Sequence, residues 1–150
     1  MEAKSVWAKT RRQTVRIEVN FPGNKRVDAQ VGGFTVHTDQ SPRQGGDGSA
    51  PSPFDLFLAS LATCAGIYML SFMQERELNT EGAAVVLHAE REEGTRMIRE
   101  IKMELLLPPS FPEKYRAAVL RAVDLCAVKK HLAEPPAILL EATIQAGSES

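Results

Sequence analysis

The sequence predicts a single α+β domain spanning residues 1–150, with antiparallel sheets packed around one long, buried central helix. Three observations carry this. Apolar and polar residues alternate in the first third of the chain, an uncharged run fills its middle, and a shorter amphipathic helix follows the second set of strands. The elements are expected in the order β-β-β, long helix, β-β, helix, β. At this length about 70% of the unfolded chain's surface can be buried, so a core needs neither a disulfide framework nor a structural metal.

The first three strands rest on a period of two. Val15, Ile17 and Val19 alternate with Thr14, Arg16 and Glu18, and Val27, Ala29 and Val31 alternate with polar neighbours, as half-buried strands do. Turns are expected at Pro22–Asn24 and Gly32–Gly33, giving an antiparallel meander that ends near Val36–Thr38. Residues 39–52 are dense in Gly, Pro and Ser and carry no apolar period, which reads as a loop inside the domain.

Ser52, Pro53 and Asp55 then form a helix start: a capping serine, a proline suited to the first position, and a carboxylate that reaches back to the cap. Leu56 to Met73 holds no charge, and Gln74 to Glu77 mark the return to water. Residues 83–92 and 97–107 read as a hairpin around Glu93 and Gly94, with Ile101, Met103, Leu105 and Leu107 on one face. Ser110 and Glu113 predict a second capping box around Pro112, opening a helix on which Tyr115, Ala118, Val119, Ala122 and Cys126 share an inward face. The apolar segment 137–146 reads as a last strand.

Composition excludes several classes of function. With 43% hydrophobic and 25% charged residues, net charge −1 and pI near 6.3, the chain lacks the field needed for broad binding to nucleic acid or to an anionic membrane. Its one basic cluster, Lys9, Arg11, Arg12 and Arg16, has neither stacking aromatics nor a phosphate loop beside it. The first residues lack the pattern of a secretory signal, so the protein reads as cytoplasmic. The uncharged run approaches the length of a membrane span. Its Ala, Ser, Thr and Gly content, and amphipathic strands that need a buried partner, favour a central helix covered on all sides.

The chemistry centres on two cysteines. In a reducing compartment Cys64 and Cys126 are not expected to form a permanent bridge, although they can form a redox pair. On composition alone each equally suits a small buried hydrophobe. His37, His88 and His131 show no ligand spacing to one another or to either cysteine, so no metal is expected, and no other cofactor is implied.

The segment GGDGSAPSPFDLFLASLATCAG resembles the signature of the OsmC/Ohr family, and AVDLCAVKKHL resembles the family's second-cysteine region. That resemblance implies an OsmC-like fold, an intertwined homodimer, and thiol-dependent reduction of organic hydroperoxides or hydrogen peroxide in defence against oxidative stress. Carried over, Cys64 is the peroxidatic thiolate, Cys126 the resolving thiol, and an external dithiol the reductant. A partly buried thiolate also calls for a nearby positive charge. Arg43 is the leading candidate, with Arg12, Arg16 and Arg26 open. In the family's peroxidases an acid stands ten positions before the first cysteine; here that position is Phe54, and Asp55 follows it. This shifted acid is similar to the YhfA-like branch, and the proline that often follows the second cysteine in the family is replaced by Ala127.

Asp55 and Cys64 are nine positions apart, which in a helix means about 13 Å along the axis and opposite faces. They cannot pair within one helix, so Asp55 would act through the arginine or from a second chain. A long helix apolar on all sides also asks for more cover than one small sheet provides, which again implies the dimer. The alternative reading keeps the fold as a small-molecule-binding or structural dimer whose cysteines do not cycle.

Overall fold

The computed structural model describes residues 14–147. Lys9, Arg11 and Arg12 of the basic cluster lie outside the described residues. The chain divides into two compact units, residues 1–56 and 57–150.

In the first unit, β1 (Ile17–Gly23), β2 (Arg26–Val31) and β3 (Phe34–Thr38) form the expected antiparallel meander in the order β1-β2-β3. Ile17 lies opposite Val31 and Val19 opposite Ala29, while Val31, Ala29 and Val27 lie opposite Phe34, Val36 and Thr38 on the other side. The alternating apolar positions therefore make one continuous sheet face. Its turns use residues that tolerate a left-handed backbone, Asn24 at φ 47° and Gly32 at φ 58°. Burial departs from expectation on β1, all of which is exposed although its apolar period is intact.

The loop that follows is built on Asp39. This carboxylate is fully buried and accepts hydrogen bonds from the Ser49 hydroxyl (2.7 Å) and from the amides of Ser49 (3.0 Å), Gln40 (2.7 Å) and Asp47 (3.3 Å). Ser49 first, then the amides, hold the Asp39 carboxyl at about 2, below its ordinary 3.8, against the opposing effect of burial. The Asp39 amide donates to the Pro51 carbonyl at 3.2 Å and closes the loop's ends, with a 3-10 turn at Pro42–Gln44 between. Gly46 passes so close that a Cβ there would lie 2.0 Å from the Gln40 carbonyl oxygen.

The helix start forms as the sequence implies. In α1 (Pro53–Glu75) the Asp55 carboxylate accepts from the Ser52 amide (3.0 Å) and hydroxyl (2.7 Å), and the Asp55 amide donates back to the Ser52 hydroxyl oxygen at 3.2 Å. At the other end Glu77 takes a left-handed φ of 53°, the Leu78 amide donates to the Met73 carbonyl, and the Glu77 amide to that of Gln74. These two bonds satisfy carbonyls that the helix end would otherwise leave open.

In the second unit β4 (Ala84–Arg91) and β5 (Ile98–Leu106) pair antiparallel as the expected hairpin. Two short helices follow, α2 (Arg116–Asp124) and α3 (Ala127–Ala133). The core joins Ala65, Met69, Phe72 and Met73 of α1 to Val119 and Val123 of α2, with Val85, Met103 and Leu105 of the hairpin packed against them. Phe72 meets Tyr115 edge to face, with ring centroids 6.1 Å apart.

Two expectations are corrected here. The capping box at Ser110 and Glu113 does not form; the chain enters α2 through Pro112 and a 3-10 turn whose Tyr115 amide bonds the Pro112 carbonyl, so no side-chain cap is made. Residues 137–146 form no strand. Among the described residues no sheet edge pairs with them, and Leu140 and Ile144 are 93% and 98% exposed. Within the single chain α1 buries one stripe, Leu61, Ala65, Met69, Phe72 and Met73, and Ile67 is 54% exposed. By length and composition α1 could cross a bilayer, a test that the core helix of a water-soluble domain passes equally.

Candidate thiol site

Cys64 sits in the middle of α1 and is half-buried, whereas Cys126 is fully buried. Cys126 occupies the joint between α2 and α3, where its extended backbone (φ −47°, ψ 123°) breaks one helix and caps the next. Its amide donates to the Val123 carbonyl at 3.0 Å, and its carbonyl accepts from the Lys130 amide at 3.0 Å. The cysteine is thus fixed by backbone bonds on both sides.

That placement brings two residues distant in sequence into contact. The thiols of Cys64 and Cys126 lie close enough to act on one another, and both cysteines are free. The backbone amides of Val128 and Ala127, at the start of α3, also act on the Cys64 thiol. Donation from Cys126 first, then from the Val128 amide, pulls the Cys64 thiol below its ordinary range, with burial opposing and the Ala127 amide adding to the effect. Burial pushes Cys126 the other way, and so does its bond to Cys64, which keeps the proton on Cys126. The pair is polarised, with Cys64 the better thiolate and Cys126 the proton holder.

The stripe of α1 that carries Cys64 continues through Ile67, Tyr68 and Ser71, which line a cavity of about 530 Å³. Its opposite wall is built by Ala122 and Leu125, the latter adjacent to Cys126. The volume falls within the usual range for a small-molecule site.

The remaining expected site residues belong to the first unit. Asp55 is the capping carboxylate of α1, and Arg43 stands exposed in the 3-10 turn of the Asp39 loop. Arg16 forms an exposed ion pair with Glu18 at 2.6 Å, Arg26 lies on β2, and Arg12 falls outside the described residues. Sequence reading missed the Ala127 and Val128 amides and the Asp39 carboxylate. The only available signal for the amides was a helical segment directly after Cys126. Among the described residues no group of three or more His, Cys, Asp or Glu side chains could hold a metal ion.

The family model for OsmC-like protein matches residues 46–141. Among solved structures, the chain resembles a protein ascribed to osmotic stress induction and the detoxification response in Psychrobacter arcticus, at 21% identity, covering 79% of this chain and 88% of that one with a TM-score of 0.67. It also resembles an OsmC-like protein of Mycoplasma pneumoniae (14% identity, 83% and 90% covered, TM-score 0.65). A third likeness is to an organic hydroperoxide resistance protein OsmC of Legionella pneumophila (14% identity, 80% and 89% covered, TM-score 0.52). At these identities the likenesses concern the fold. No curated protein matches the chain. The family match spans well over half of the sequence and includes both cysteines, and the chain therefore belongs to the OsmC-like protein family.

Proposed function

We propose that the protein is a two-cysteine thiol peroxidase acting on organic hydroperoxides or hydrogen peroxide. The observation that carries this reading is the polarised thiol pair, with Cys64 lowered by the Cys126 thiol and the α3 amides while Cys126 retains its proton. The Cys64 thiolate attacks one peroxide oxygen and the O–O bond breaks. The departing alkoxide takes a proton and leaves as the alcohol, and Cys64 becomes a sulfenic acid. The Cys126 thiol then attacks the sulfenic sulfur, the S–O bond breaks, water leaves, and a disulfide forms. An external dithiol returns two electrons and two protons by exchange, which fits a reducing, cytoplasmic setting.

The family resemblance supplies two further roles, Arg43 as the site arginine and Asp55 as the acid that orients it. We read the shifted acid as favouring the YhfA-like branch of the family. We further read residues 1–150 as one domain completed in an intertwined homodimer. The exposed apolar row of β1, the uncovered faces of α1 and the exposed segment at Ile138 to Ile144 support a second copy as their cover.

Titrating free thiols after adding an organic hydroperoxide to reduced protein tests this reading. Both thiols are lost promptly in the wild type, whereas Cys64→Ser and Cys126→Ser form no intramolecular disulfide. Retention of both wild-type thiols in excess peroxide would sink the proposal and favour a binding module, for which the cavity lined by Ile67, Tyr68, Ala122 and Leu125 is the supporting observation.

A further inference from the structure

The break that carries Cys126 is crossed by a pair of charges. Asp124 is the last residue of α2 and Lys129 the third of α3, and the Lys129 ammonium donates to the Asp124 carboxylate. Neither charge suits its own helix. A carboxylate at a helix C-terminus and a cation in a first turn both oppose the helix dipole. The two offset each other across the joint, which neither would do within its own element.

The joint has little else to fix it. Among the described residues of α3 none is buried, and no side chain caps its start. The Cys126 amide bonds the Val123 carbonyl and the Lys130 amide bonds the Cys126 carbonyl, but these backbone bonds join near neighbours on either side of the break. Alongside lies a cavity of about 270 Å³ walled by Met103 and Leu105 of β5 and Val123 of α2, and completed by Asp124 and Lys129. Close packing resists displacement, whereas a joint beside empty space has room to shift. The ion pair therefore restrains a part of the chain that packing leaves loose.

We propose that Asp124 and Lys129 are positioning residues for disulfide formation, their pair holding the α2–α3 joint so that the Cys126 thiol meets Cys64. They act through the joint and take no part in bond making. Their place in resolving a sulfenic acid rests on the peroxidase reading; their place in closing the disulfide rests on the joint alone. Both side chains are exposed by half or more. An exposed pair is a modest restraint, which sets the effect at about two- to fivefold in the equilibrium for closure.

Two experiments separate the claims. In the first, full-length protein is equilibrated with reduced and oxidised glutathione, where each Cys64–Cys126 bond formed consumes one glutathione disulfide and releases two glutathiones. Asp124→Asn and Lys129→Gln each lower this constant about two- to fivefold, and Lys129→Arg leaves it near the wild type. The reversed pair, Asp124→Lys with Lys129→Asp, restores the wild-type value or exceeds it, because each charge then suits its helix end. The differences shrink in about 1 M salt. Charges felt only by their own helices predict the opposite sign: a constant unchanged or raised by either neutral variant overturns the proposal, as does a reversed pair no better than the single variants. Should Asp124→Asn fail to fold, Lys129→Gln decides by the same criterion.

In the second, limiting cumene hydroperoxide is added with dimedone, whose capture of the Cys64 sulfenic acid competes with closure by Cys126. The captured fraction rises about two- to fivefold in Asp124→Asn while it is small, whatever the rate at which Cys64 is oxidised. An unchanged fraction overturns the role in resolution. A protein whose glutathione constants follow the pair but whose thiols ignore peroxide refutes the peroxidase reading and leaves the positioning role standing.

Discussion

Replacing Cys126 with alanine removes the largest influence that lowers the Cys64 thiol while leaving the α3 amides in place. A hydrogen bond to a charged group contributes about 1.5–3 kcal/mol, and each 1.4 kcal/mol is tenfold in an equilibrium. At a pH where Cys64 is only partly ionised, Cys126→Ala therefore cuts its thiolate population, and its rate of alkylation by iodoacetamide, by roughly tenfold or more. Serine at the same position keeps an O–H donor and loses much less. Cys126 is fully buried, so the alanine variant also sheds core contact worth about 1 kcal/mol. Rates are for that reason measured well below the unfolding temperature, with circular dichroism as a check on the fold. The assay is the pH profile of alkylation at Cys64, read by peptide mass spectrometry. In Cys126→Ala the rise with pH moves to higher pH, and in Cys126→Ser it stays near the wild type. Profiles that coincide for alanine and wild type would refute the polarised pair and leave two inert neighbours.

Three further outcomes follow from the packing. Met73 is fully buried against α2 and the hairpin, so Met73→Ala should cost about 2–5 kcal/mol in chemical denaturation; a loss below about 1 kcal/mol would show a core that collapses around the gap. Asp39 is held at about 2 when folded against an ordinary 3.8. Its contribution is therefore complete above the higher of these and lost as pH falls through the lower one. Thermal unfolding of Asp39→Asn should lack this acid limb, and an unchanged acid profile would contradict the assignment. Gly46→Ala puts a methyl 2.0 Å from the Gln40 carbonyl oxygen and 2.8 Å from the Asp39 carboxylate. Faster amide exchange across residues 40–51 is expected; wild-type protection would mean that the loop absorbs the clash.

What the sequence revealed was local. The Ser52–Asp55 box and the β4–β5 hairpin are set by residues within a few positions of one another or by a strict period, so pattern and structure agree there. Cys126 could be placed inward by helical spacing, and the family resemblance paired it with Cys64, but no local pattern showed what lies around the pair. The contact with Cys64 and the amides of Ala127 and Val128 arises only when α2 packs on α1 and the chain breaks between α2 and α3. The Asp39 box was hidden for a similar reason, since a loop rich in Gly and Ser signals irregular backbone without indicating which carboxylate organises it. Overreading ran in the other direction. Residues 137–146 have strand propensity, yet a strand also needs an edge to pair with, and among the described residues the segment pairs with none. Ser110 and Glu113 have capping spacing, but Pro112 sets an entry geometry that bypasses it.

The central claim is that Cys64 reacts with peroxide and Cys126 resolves the product. The most direct test treats reduced Cys126→Ser with one equivalent of cumene hydroperoxide in the presence of dimedone, which captures sulfenic acids, and maps the adduct. The account predicts stoichiometric dimedone labelling at Cys64 in the variant, and in the wild type a Cys64–Cys126 disulfide with little label. Unlabelled, unoxidised Cys64 in the variant would contradict it.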